Sequence, residues 1–197
     1  MEGENLEGKD LRYLSARVFH RLGSITAKQY TVAAVAITLI MILFAFKRYL
    51  FIVALLGMNI AISTFFRGLK RYNIGIEIVM FSAVMSGVVY GPVTGAVMGA
   101  LSMVIDYVFA TRLSFFSIVT IPSYAAVGYF SPLLLEPLGI TKLGIIATVA
   151  YVAFTSLLII CFMGGHLSKS IRFGITNIVF NIIVFRTAAP LVLGIMQ

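Results

Sequence analysis

The chain has 197 residues, of which 60% are hydrophobic and only 11% are charged, against roughly 25% charged in an ordinary soluble domain. That composition excludes a soluble globular domain and a disordered chain, and a single cysteine, Cys161, excludes a disulfide scaffold. What remains is an all-α, polytopic membrane protein that still carries a formal net charge of +8, from 15 Lys+Arg and 7 Asp+Glu.

Residues 1–29 are polar and too charged for a signal peptide. Leu11, Leu14, Val18 and Leu22 recur at helical spacing among Arg12, Arg17 and Arg21. This predicts a cytoplasmic basic tail with an amphipathic helix lying on membrane lipid. Residues 30–197 are predicted to be one transmembrane helical domain. Its apolar windows are 30–46, 49–66, 74–90, 93–110, 113–135, 143–163 and 175–195, each near the ~20 residues a spanning helix needs. They are continuous rather than alternating, so a β-barrel is excluded.

With seven spans, eleven cations fall on one side: Lys9, Arg12, Arg17, Arg21, Lys28, Arg67, Lys70, Arg71, Arg112, Lys169 and Arg172. Lys47, Arg48 and Lys142 fall on the other, and Arg186 lies within a span. The positive-inside rule then places the N-terminus in the cytoplasm and the C-terminus outside a cell membrane. Cations dispersed over several loops give no nucleic-acid surface. Motifs for zinc hydrolases, redox dithiols, serine hydrolases and P-loops are absent. No enzyme and no cofactor are expected, and Cys161 reads as a small hydrophobe.

The least generic stretch is the central hairpin. Gly87, Gly91, Gly95 and Gly99 repeat every four residues, a spacing that admits close helix packing. Pro92 suits a helix start. Glu77 lies about 14 residues before the Gly91-Pro92 turn and Asp106 about 14 after it. At about 1.5 Å per residue an antiparallel hairpin brings them to one level, about 22 Å from the turn. They read either as a carboxylate pair for a cation, proton or partner, or as partners of Arg67, Arg71 or Arg112. Glu77 is expected in the first turn of its helix, where the dipole favours an anion.

The run Glu77, Gly87, Gly91-Pro92, Gly95, Gly99, Asp106, with Asn177, Asn181 and Pro190 in the closing span, resembles the substrate-binding S-components of energy-coupling factor transporters. The resemblance covers residues 49–197 and implies a six-span core, with 30–46 as an extra span. It implies a subunit that captures a small-molecule micronutrient from outside and docks on a transmembrane coupling protein driven by ATPase subunits. Docking would use small residues of the first core span, here Gly57 and Ala61. It also implies a core with both ends inside, whereas the seven-span count puts the C-terminus outside. The alternative is a non-catalytic scaffolding subunit similar to the MreD-type cell-shape proteins.

Within the spans, Arg186 lies about 11 Å deeper than the carboxylates, beyond comfortable reach, and Pro190 removes the helical donor to its carbonyl. It is expected to hold an anionic substrate group or a partner's carboxylate. Asn59 and Asn181, at similar depth, are expected as ligand contacts or interhelical glue. Tyr90, Thr94 and Ser131 are expected to line a pocket in the outer half. The prolines Pro122 and Pro132 break the fifth span beside it.

Overall fold

The computed structural model describes residues 27–196, and every regular element among them is helical. The basic tail and its expected interfacial helix at Leu11–Leu22 lie outside the described residues. The chain divides into two units, Met1–Leu50 and Phe51–Gln197. In the first, α1 spans Ala27–Ala45 and exposes Val32, Val35, Ile37 and Leu39.

After α1 comes α2 (Lys47–Phe65), whose residues beyond Leu50 belong to the second unit. There α2 buries one stripe, Leu55, Asn59 and Ser63, at intervals of four. That is one helix face, and two of its three members are polar. The short α3 (Arg67–Lys70) follows. Helix α4 (Val79–Tyr90) is the central one, with every residue from Val79 to Gly87 buried.

The expected span 74–90 is helical only from Val79, a correction with a local cause. The Gly75 N–H donates to Thr176 Oγ1 at 2.7 Å, and a Cβ at Gly75 would crowd Phe173 and Asn177. The chain is thus pinned against the last helix before α4 begins. Glu77 precedes the helix rather than occupying its first turn, so the dipole argument for it falls.

Gly91 turns the chain at φ 95°, ψ 169°, a conformation open to glycine. Pro92 then opens α5 (Pro92–Phe109) as expected. Helix α6 runs Ser117–Met163, with one non-helical residue, Gly139, at φ 68° and ψ 157°. The Tyr124 and Tyr151 rings lie 4.1 Å apart, centroid to centroid. A straight helix would separate them by about 40 Å, so limbs 117–138 and 140–163 run antiparallel. The reversal expected over 136–142 thus takes a single residue. Helix α7 (Leu167–Met196) closes the unit.

The glycines meet where α4, α5 and α6 cross. A Cβ on Gly95 would overlap the Gly128 carbonyl oxygen and the Gly87 Cα, and one on Gly99 would overlap the Tyr124 carbonyl. Backbone against backbone is the packing expected of a small-residue repeat.

Among the described residues, four helices are long and apolar enough to cross a membrane: Lys47–Phe65, Pro92–Phe109, Ser117–Met163 and Leu167–Met196. Polarity is inverted relative to a water-soluble fold. Val93, Val97, Leu133, Phe154, Val179 and Ile183 face outward, while Asn59, Lys70, Glu77, Asp106, Asn177 and Asn181 are buried. Water would reward the opposite arrangement; a lipid environment permits this one.

Candidate functional site

Four charges converge at the end of the helices where 66–78 joins α2 to α4 and 110–116 joins α5 to α6. Lys70, at the end of α3, bonds Asp106 of α5, and its ammonium also donates to Ser63 Oγ at 3.2 Å. Ser63 donates to the same Asp106 oxygen. Arg112, just past α5, grips both acids. Its Nη2 donates to Glu77 Oε2 at 2.9 Å and to Asp106 Oδ2, and Nε donates to Asp106 Oδ2 at 3.2 Å.

The other Glu77 oxygen accepts the Tyr124 hydroxyl and, at 3.2 Å, the Asn177 amide. Glu77 and Asp106 are fully buried and Lys70 is 2% exposed. Two cations and two anions sum to zero, so no net charge is left in the low-dielectric interior. Burial works against the charge on Arg112, but Glu77 and Asp106 outweigh it and hold its pKa above the ordinary guanidinium value. The guanidinium also sits 5.5 Å from the centre of the Tyr107 ring.

Sequence spacing placed Glu77 and Asp106 at one level, and the structure joins them through Arg112. Arg67 instead donates to Thr111 Oγ1 at 3.0 Å, and Arg71 stays outside the network. Lys70, Tyr124 and Ser63 were missed. Ser63 and Lys70 lie seven residues apart on one side of the chain, a signal hidden because Lys70 reads as an ordinary loop cation.

Beside this network lies a cavity of about 490 Å³. Its walls come from three distant stretches: residues 70–73, residues 103–120, and residues 151–173 across the α6–α7 connection. Tyr107, Phe116, Tyr151 and Phe173 supply ring surface. Thr120 and Ser156 are among its hydroxyls. Tyr107 and Thr120 share a 2.6 Å hydrogen bond across the wall. Among the described residues four cations line it, Lys70, Arg71, Arg112 and Lys169, and no carboxylate does.

None of the ligand contacts expected in the spans lines this cavity. Asn59 is buried between helices, its amide donating to Leu55 O, Ser82 Oγ at 2.7 Å and Ser102 Oγ. Asn181 donates to Asn177 O at 3.0 Å. The Oδ1 of each, and Ser86 Oγ, are buried with no hydrogen-bond partner among the described residues. Ser131 donates to Val84 O and Gly128 O. Thr94 caps back to Tyr90 O at 3.3 Å, and the Tyr90 ring meets Phe51 edge-on.

Ser131 borders a separate apolar groove of about 280 Å³ between the limbs of α6. Arg186 is exposed on α7, nine residues and about 14 Å beyond Asn177. It has no ion pair among the described residues. Gly57 and Ala61 are exposed on α2, and a Cβ on Gly57 would meet nothing.

No family model, curated protein or solved structure matches this chain.

Proposed function

We propose that this chain is the substrate-capturing membrane subunit of a transporter, energised by ATPase subunits acting through a transmembrane coupling protein. The observation that carries the reading is the 490 Å³ cavity resting on a buried, internally neutral charge network. That volume lies within the range of small-molecule sites, about 300–1,000 Å³, and mixes ring surface with a few polar groups as such sites do. A scaffold needs contact surfaces but no such space inside its bundle.

The finer architecture is a six-span core: α2, α4 with its extended lead, α5, the two limbs of α6, and α7. The extra span expected at 30–46 is left out of this core: α1, which is not among the four long apolar helices, is taken as non-spanning, and that turns the cavity outward, the side from which a substrate is captured. Charge accounting supports this orientation once the network is known. Lys70 and Arg112 are committed to Asp106 and Glu77 and cease to act as free loop cations. Eight cations then lie inside: Lys9, Arg12, Arg17, Arg21, Lys28, Lys47, Arg48 and Lys142. Four lie outside: Arg67, Arg71, Lys169 and Arg172. The positive-inside bias survives. The outward faces at Gly57 and Ala61 and at Arg186 are left for the coupling protein, Arg186 meeting a carboxylate there.

The test is labelling of Lys47→Cys, Lys142→Cys and Lys169→Cys variants, on a Cys161→Ala background, with a membrane-impermeant thiol reagent in intact cells. Lys169→Cys should react and the other two should be protected. The reverse pattern would end the capture reading. An ATPase pair should co-purify with the tagged chain.

A further inference from the structure

We infer that the molecule taken up in this cavity is a ring-bearing organic anion, a carboxylate or phosphate, held at the mouth by Arg71 and Lys169. The inference rests on the capture reading above and adds the substrate's charge. Among the described residues, four cations and no carboxylate line the cavity. Two of them, Lys70 and Arg112, are balanced from behind by Asp106 and Glu77. The other two, Arg71 and Lys169, are exposed, and neither has a hydrogen-bond or ion-pair partner among the described residues. The cavity therefore has about two uncompensated positive charges at its rim.

In the orientation proposed above, topology does not account for them. In the outward orientation both stand on the side where the positive-inside rule favours few free cations. Their outer companions are otherwise occupied, Arg67 on Thr111 and Arg172 on the Tyr72 carbonyl at 3.4 Å. Arg71, just past α3, and Lys169, in the first turn of α7, are about a hundred residues apart in sequence and line one cavity. Guanidinium and ammonium groups are the usual donors to carboxylate and phosphate. The rest of the wall suits a ring-bearing body, with the aromatic residues Tyr107, Phe116, Tyr151 and Phe173 among those that line it.

The experiment uses the full chain in nanodiscs and a matched set of probes: naphthoate, naphthyl phosphate, the neutral naphthamide and the cationic naphthylmethylamine. Binding is read as a shift in unfolding temperature, which grows with ligand concentration over Kd. Naphthoate or naphthyl phosphate should stabilise the chain, less so at high salt, and the amide and amine much less. The double variant Arg71→Gln/Lys169→Gln, altered only at exposed positions, should bind the anion about tenfold to a hundredfold more weakly.

Equal binding of amide and carboxylate, unchanged in the double variant, would overturn the anion assignment and leave the capture site standing. Stabilisation by phosphatidylglycerol over phosphatidylcholine nanodiscs, with no response to any soluble probe, would assign the cations to lipid and overturn it as well. Silence from every probe and both lipids overturns it too. The capture reading falls separately, on cytoplasmic labelling of Lys169→Cys.

Discussion

Asp106→Leu isolates what the buried network contributes. Among the described residues, the substitution removes the only carboxylate bonded to Lys70, which is 2% exposed and keeps only the Ser63 hydroxyl at 3.2 Å. Arg112 is less affected, because Glu77 remains at 2.9 Å. The loss is therefore that of one uncompensated buried cation. Two unit charges about 4 Å apart at an effective dielectric of about 20 attract by about 4 kcal/mol, and breaking buried pairs costs about 3–5 kcal/mol. At about 2–4 °C per kcal/mol for a chain of this size, the unfolding temperature should fall by about 6–20 °C.

The control is Lys70→Met/Asp106→Leu. Removing both charges leaves no orphaned charge, only the small Ser63 hydroxyl without these partners, and such replacements are often neutral or stabilising. The double variant should return to within about 1 kcal/mol of the parent, with a large coupling energy in the double-mutant cycle. Thermal unfolding of the purified proteins in one detergent measures all four corners. A single variant that loses under about 1 kcal/mol, or a double variant no better than Asp106→Leu, would refute the network as drawn.

Gly95→Ala should destabilise by about 2–3 kcal/mol, because its Cβ would overlap the Gly128 carbonyl and the Gly87 Cα. Gly57→Ala, with nothing within 4 Å of the added atom, should leave thermal stability unchanged or slightly raised. Tyr124→Phe leaves Glu77 with Arg112 and Asn177 but deletes a buried donor, so a loss of about 1.5–3 kcal/mol is expected in the same unfolding assay. Arg186→Leu should not destabilise the isolated chain, since the residue is exposed and unpaired among the described residues. A fall in its unfolding temperature of more than a few degrees would reveal an intrachain partner.

The parts of the fold set by local chemistry were legible. Continuous apolar runs marked the helices, Gly91-Pro92 marked a turn that only glycine makes easily at φ 95°, and the four-residue glycine spacing marked a close crossing. The parts set by distant neighbours were not. Nothing in residues 74–78 says that they stay out of the helix, because the cause is Thr176, Phe173 and Asn177 across the bundle. Likewise, α6 keeps helical geometry up to Gly139 on both sides, although the polar stretch 136–142 reads as a longer loop.

The candidate site divides along the same line. A buried carboxylate announces itself, since its cost within an apolar run demands a partner, and Glu77 and Asp106 stood out for that reason. Their basic partners did not, because a lysine or arginine beside a span has a sufficient explanation in topology, and only the folded structure separates Lys70, committed to Asp106, from Arg71, which has no ion pair among the described residues. A cavity is less legible still. It is the space between residues 70–73, 103–120 and 151–173, and no one of those segments is unusual in composition. The mid-span polar residues drew attention in its place. Asn59 spends its amide on Ser82 and Ser102 of neighbouring helices and Asn181 on Asn177 of its own helix, so depth in the membrane marked buried polar contacts of the bundle, while the space between distant segments left no mark in any one of them.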